Sequence, residues 1–129
     1  MQAVTAFNAR DLEGWIALMD EQVDVESRFS RFGENHFHGH RAVKRWWEDL
    51  GEAWEYIEVE PQEVRQVAPD QTLTLLSLNA KGRESGVEVR EPTAHRVTWR
   101  DGKLLSLRYE DRAVAERELR QIATRSKDS

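Results

Sequence analysis

The stretch RAVKRWWEDLGEAWEYIEVE, residues 41–60, carries two periods in succession. Val43, Trp46, Trp47, Leu50 and Trp54 recur at i, i+3, i+4, i+7 and i+11, which is one face of a helix. Arg41, Lys44, Arg45, Glu48 and Asp49 occupy the rest of its surface. From Tyr56 the period falls to two. Ile57 and Val59 alternate with Glu58 and Glu60, as in a strand with one buried face. A tryptophan-bearing helix therefore runs directly into a sheet, and that junction sets the architecture.

Downstream the chain stays β. Pro61 interrupts the alternation and Val64 and Val67 follow out of phase, so a bulge is expected near Pro61. Pro69-Asp70 signals a turn. Leu73, Leu75, Leu76 and Leu78 make a strand apolar on both faces, hence a central one. Lys81-Gly82 to Gly86 reads as a hairpin loop. Val87, Val89, Thr93, His95, Val97 and Trp99 share one face of a long strand, and Asp101-Gly102 is a tight-hairpin signal. Leu105, Leu107 and Tyr109 form the expected inward face of the last strand. Asp111 caps a final helix carrying Val114, Ala115, Leu119 and Ile122.

Upstream, Gln2 to Ala9 reads as a short helix with Val4 and Phe7 on one side. Asp11 suits an N-cap, and Leu12, Trp15, Ile16 and Met19 follow at helical spacing. Val23, Val25, Ser27 and Phe29 alternate with Asp24, Glu26 and Arg28 as a half-buried strand. Residues 31–39 read as a loop. Early helices and a late strand meander make the class α+β. Residues 1–123 are expected to form one domain, followed by a polar tail at 124–129.

Composition removes several functions. A chain of 129 residues supports one domain. Five Trp, four Phe and two Tyr supply more core than a disordered chain carries. Lys and Arg number 19 against 24 Asp and Glu, a net charge of -5, so no basic surplus exists to neutralise nucleic-acid phosphates. The absence of Cys excludes disulfides, thiolate metal sites and thiol nucleophiles. No apolar run approaches the ~20 residues of a membrane span. The first residues lack a signal-peptide core, and a cytoplasmic location is expected.

Four stretches then carry a family resemblance: AFNARDLEGW (6–15), GHRAV (39–43) running into Trp46-Trp47, WRDGK (99–103) and YEDRA (109–113). In this order they resemble the nuclear transport factor 2-like superfamily and, within it, the SnoaL-like proteins. The resemblance implies a cone-shaped α+β barrel, a strongly bent antiparallel or mixed sheet wrapped around helices, with an apolar pocket. It also implies frequent homodimers through the outer sheet face. Function stays open, because the superfamily hosts isomerases, polyketide cyclases, epoxide hydrolases and transport factors. The ketosteroid isomerase relatives use an Asp base and an oxyanion hole of Tyr and protonated Asp. Those positions fall here at Ser27, near Ala3, and at Ala94 or His95, so that mechanism lacks its carboxylates. The SnoaL-type cyclases resemble this chain at their pocket His, which falls at His95; the Asp they place fourteen residues later is Tyr109 here.

His95 is the leading catalytic candidate. It is in phase with Val97 and Trp99, and imidazole can take and give a proton near neutrality. Tyr109, on the next strand, can orient His95 or hold a substrate oxygen. The alternative is a core histidine satisfied by Tyr109 or by backbone. Ser27 and Phe29 on the first strand, Trp15, Trp46 and Trp47 on helices, and Leu75, Ser77 and Asn79 in one phase of the central strand are the candidate ligand contacts. Each has a plain structural reading beside it, since helical aromatic stripes usually form core. His36, His38 and His40 alternate as metal ligands could, but no carboxylate motif accompanies them and no metal is assigned. No cofactor is called for. Leu76, Leu78 and Leu104 are read as apolar residues of the outer face and favour a dimer. Two functions fit these features. One is a cofactor-independent cyclase or isomerase acting on an apolar cyclic substrate. The other is a non-catalytic ligand-binding or dimerisation domain.

Overall fold

A computed structural model describes residues 2–27 and 36–128, with side chains from Ala3 to Ser27 and from His36 to Thr124. The elements run α1 (Gln2–Asn8), α2 (Leu12–Ala17), β1 (Met19–Glu26), β2 (His36–His38), α3 (Gly39–Ala53), β3 (Trp54–Ala68), β4 (Gln71–Gly82), β5 (Glu88–Arg100), β6 (Lys103–Glu110) and α4 (Arg112–Asp128). The class is α+β, as the sequence predicts.

The strands form one sheet in the order β2-β1-β6-β5-β4-β3. Only β1 and β6 pair in parallel; every other pair is antiparallel. The sheet does not close, because β2 and β3 remain edges. Helix α3 touches β1, β2 and β3, so it bridges both edges of the strand order. A flat sheet could not bring its two edges to one helix; the strands bend around α3.

Local signals explain the elements. Asp11 Oδ1 accepts the Gly14 N–H at 3.0 Å and starts α2. Asp101 and Gly102 both take positive φ (52° and 76°), the conformation of a tight β-hairpin of the twist-compatible kind. The pairing of β3 with β4 slips between Pro61 and Glu63, where the bulge is predicted. Past the slip Val67 packs on the opposite face from Ile57.

Several expectations are corrected. Met19 opens β1 instead of closing the preceding helix, which ends at Ala17 with Leu18 as its cap. Within the segment read as a loop, His36–His38 pairs with β1 as β2, and Gly39 already belongs to α3. Phe29 lies outside the described residues. In β6 the register breaks so that Trp99 pairs with Leu104 and Thr98 with Ser106, leaving Leu105 bulged. The inward residues are therefore Leu104, Leu107 and Tyr109. Helix α4 continues to Asp128, through the stretch read as a polar tail.

The largest correction is the phase of β4. Leu76, Leu78 and Ala80 face inward and belong to the main core with Trp15, Val25, Trp46 and Leu104. Leu73 and Leu75 face outward, where Ala115 and Leu119 of α4 cover them. Both faces of β4 are buried, which is why apolarity alone could not decide the phase. The leucines expected to be exposed on the outer face (Leu76, Leu78 and Leu104) are each no more than 2% accessible. The dimer expected through that face has no leucine patch to rest on, and α4 occupies part of the surface.

Candidate functional site

The concave side of the sheet, α1, α2 and α3 enclose a cavity of about 70 Å³. Its walls follow from the periods of the elements. Val4 and Phe7 come from α1, Trp15 from α2, Trp46 and Leu50 from α3. The sheet supplies Val25 and Glu26, Ile57 and Val59, Leu78, His95, and Leu104, Leu107 and Tyr109. Apart from Glu26, His95 and Tyr109, the side chains lining it are apolar or aromatic. That combination of an apolar wall with a few convergent polar groups is the usual make-up of a small-molecule site. A water needs ~10–15 Å³ of such space, so the cavity takes a ligand of roughly five to seven water-sized groups.

The three polar residues are neighbours. His95 and Tyr109 are register partners on β5 and β6. Their rings meet edge to face, with centroids 4.7 Å apart and planes at 88°. Tyr109 N–H donates to Glu26 Oε1 at 3.0 Å. Glu26 is the last residue of β1 and pairs across to His36. Its Oε2 stands 3.7 Å from His36 Nε2, while His36 Nδ1 lies 3.0 Å from Asp24 Oδ2. Glu26 thus ties the end of β1 to the backbone of β6, with its carboxylate beside the exposed His36.

Four predicted site residues are brought together: His95, Tyr109, Trp15 and Trp46 all line the cavity. Ser27 is buried beside it, with its Oγ accepting the Trp46 Nε1–H at 2.9 Å. That bond satisfies the indole, so Trp46 presents carbon surface to the hollow. Trp47 does not reach it. Its ring packs 5.0 Å from Trp15 and 5.4 Å from Phe7, behind the wall. Leu75, Ser77 and Asn79 lie on the opposite sheet face: Leu75 lies in the α4 cluster, Ser77 Oγ–H donates to Asn79 Oδ1, and Asn79 reaches Glu60. They are not ligand contacts of this cavity.

Glu26 was missed. Strict alternation in β1 places it outward with Asp24, and there its carboxylate accepts the Tyr109 amide N–H. Nothing in the local sequence signals that. Each histidine of the His-x-His-x-His segment has a partner of its own. His36 meets Asp24, His38 Nε2 lies 3.3 Å from Gln22 Oε1, and His40 Nε2 lies 3.1 Å from the Met19 carbonyl. Among the described residues no cluster of three His, Cys, Asp or Glu is placed to hold a metal ion. No helix among them is long and apolar enough to cross a membrane.

Among solved structures, an NTF2-like protein of unknown function from Burkholderia pseudomallei K96243 is similar over 90% of both chains, with 19% identity and a TM-score of 0.75. TerC, co-crystallized with polyporic acid, is similar over 92% of both chains at 21% identity and a TM-score of 0.74. A computationally designed 17-OHP binder is similar over 84% of both, at 20% identity and a TM-score of 0.70. At these identities the likeness establishes the fold. No curated protein sequence matches the chain. The model of the SnoaL-like domain matches residues 2–107, from α1 into the last strand of the sheet. With that match spanning most of its length, the chain belongs to the SnoaL-like domain family, on a nuclear transport factor 2-like fold.

Proposed function

We propose that the protein binds a compact, mostly apolar molecule in the inner cavity and moves a proton on it with His95, as a cofactor-independent isomerase or cyclase would. The observation that carries this reading is the His95–Tyr109 contact inside an otherwise apolar wall. An imidazole there can accept a carbon-bound proton and return it, while Tyr109 orients the ring or holds the substrate's oxygen. Excluding water around both groups strengthens every polar interaction they make with a substrate. Ligand binding by structural neighbours, polyporic acid by TerC among them, supports the binding half of the reading.

The simplest chemical probe is a one-ring ketone. Cyclopentanone, with six heavy atoms, matches the hollow in size. Its α-hydrogens exchange with solvent deuterium only through the enol, so NMR in D₂O follows the proton transfer directly. The wild-type protein is expected to accelerate that exchange over buffer, and His95→Gln to lose the acceleration while keeping the bound-state shifts. Saturable binding without any acceleration would remove the acid/base role.

A second reading, a binding domain without catalysis, is favoured by the small volume and by the engagement of Ser27 with Trp46. The same exchange measurement separates the two.

A further inference from the structure

We infer that α1 is the lid of the inner cavity and that the Asn8 side chain is its latch. The inference rests on the binding half of the reading above and adds the route by which a ligand enters and leaves.

Two walls of the cavity belong to elements held in different ways. Ala3, Val4 and Phe7 come from α1, and Ile57 and Val59 from β3. β3 is fixed by a long ladder to β4, whereas α1 is a helix of seven residues outside the sheet. A helix that short has little stability of its own and owes its place to what it packs against. It is joined to α2 through Arg10, which takes positive φ (59°). Around Arg10 the chain closes a left-handed helix stop: the Arg10 N–H donates to the Phe7 carbonyl at 3.1 Å and the Asp11 N–H to the Ala6 carbonyl at 2.9 Å. A change in the few dihedrals of that turn swings α1 as a unit, as hinges do.

Asn8, the last residue of α1, opposes that swing. Its Nδ2–H donates to the Val59 carbonyl at 2.8 Å, and its Oδ1 accepts the Val59 N–H at 2.9 Å. β3 is an edge of the sheet, so the side-chain amide stands where a neighbouring strand would pair. Asn8 is two residues from Arg10, and α1 cannot turn about the hinge while both bonds hold. Opening also draws Phe7 away from Trp15, Trp46 and Trp47, whose rings lie 5.7, 6.4 and 5.4 Å from its own. Exposing a buried ring is costly, so the closed state dominates and ligand exchange waits on a rare opening. A ligand in the cavity adds contacts with Val4 and Phe7 that opening would break, so occupancy holds the lid shut.

The Val59 amide reports the latch, because its hydrogen bond to Asn8 breaks in the same event that opens the cavity. The probes are cyclopentanone and cyclopentanol, with amide exchange in D₂O and ¹⁵N-HSQC line shapes read on the whole chain. A probe at ten times its dissociation constant should slow Val59 exchange in the wild type about tenfold, the factor by which it depletes the open, empty state. Asn8→Ala, which keeps a good helix former in α1, should speed probe entry and exit together by at least fivefold and leave Kd within about threefold. Should that variant fail to fold, the wild-type exchange series decides alone. Saturable binding with Val59 exchange unchanged, or with entry and exit rates unaltered in a folded Asn8→Ala, overturns the lid and leaves the pocket intact. Binding by neither probe overturns the pocket and this inference together.

Discussion

The inner face of the sheet and the part of the outer face under α4 are both buried, but by different chemistry. The inner face is covered by aromatic and aliphatic side chains, and its polar side chains His95 and Tyr109 meet beside a hollow. The outer face under α4 has a smaller apolar contact, chiefly Leu73, Leu75, Ala115 and Leu119. Charge locks the remainder of that contact. Arg96 pairs with Glu110 of β6 and with Glu118 of α4 at 2.9 Å. Arg112 reaches the Leu76 and Thr93 carbonyls at 3.0 and 3.3 Å and Gln62 at 2.7 Å. Polar groups that hold elements together are spent on one another. The inner polar side chains His95 and Tyr109 meet instead at the wall of a hollow, and that separates a structural network from a candidate site.

The sharpest way to break this comparison is at the inner aromatic wall. Trp46→Ala removes a buried ring against Phe7, Trp15 and Phe37 and strips Ser27 of its indole donor. It should cost about 3–5 kcal/mol in urea unfolding, and abolish binding of the neutral one-ring probes. On the outer face, Arg96→Met leaves Glu110 and Glu118 facing each other without their shared cation. Arg96 is held more firmly protonated than usual, chiefly by its hydrogen bond to Glu110. The variant should lose about 1–3 kcal/mol while the His95 and Tyr109 resonances and ligand affinity stay as in the wild type. A change of affinity there would mean that the two faces are not independent.

The smallest effect is expected at the rim. Arg100 donates to both Asp20 oxygens, at 3.1 and 2.6 Å. That hydrogen bond, aided by the Gln22 backbone N–H, holds the Asp20 carboxyl below its ordinary 3.8. A depressed carboxyl contributes stability that is present above its unfolded value and lost as pH falls through the folded one. The stability gap between wild type and Asp20→Asn should therefore be constant near neutrality and close below about pH 4, as followed by urea midpoints at a series of pH values. A gap that widens on acidification would reverse the sign and the assignment.

Much of the fold was legible because its periods are clean. Val43, Trp46 and Leu50 marked the buried helix face, Pro61 marked the bulge, and Asp101-Gly102 marked the hairpin that brings His95 opposite Tyr109. The His95 phase was readable because polar residues, Glu88, Arg90 and Arg96 among them, stand on the other face of β5. In β4 no such contrast exists. Leu73, Leu75, Leu76 and Leu78 are all buried, and only tertiary packing against α4 decides that Ser77 and Asn79 turn away from the cavity. Leu104 was misplaced because a bulge at Leu105 inverts the alternation. Glu26 was illegible for a different reason: its role depends on reaching a backbone amide more than eighty residues away in sequence.

The location of a bound small molecule tests the account most directly. With methyl-labelled protein and saturating cyclopentanone, intermolecular NOEs should connect the ligand to the Leu78 and Leu107 methyls and to the His95 ring. NOEs to Leu75 and Leu119 instead, or saturating binding with none to the inner set, would contradict it.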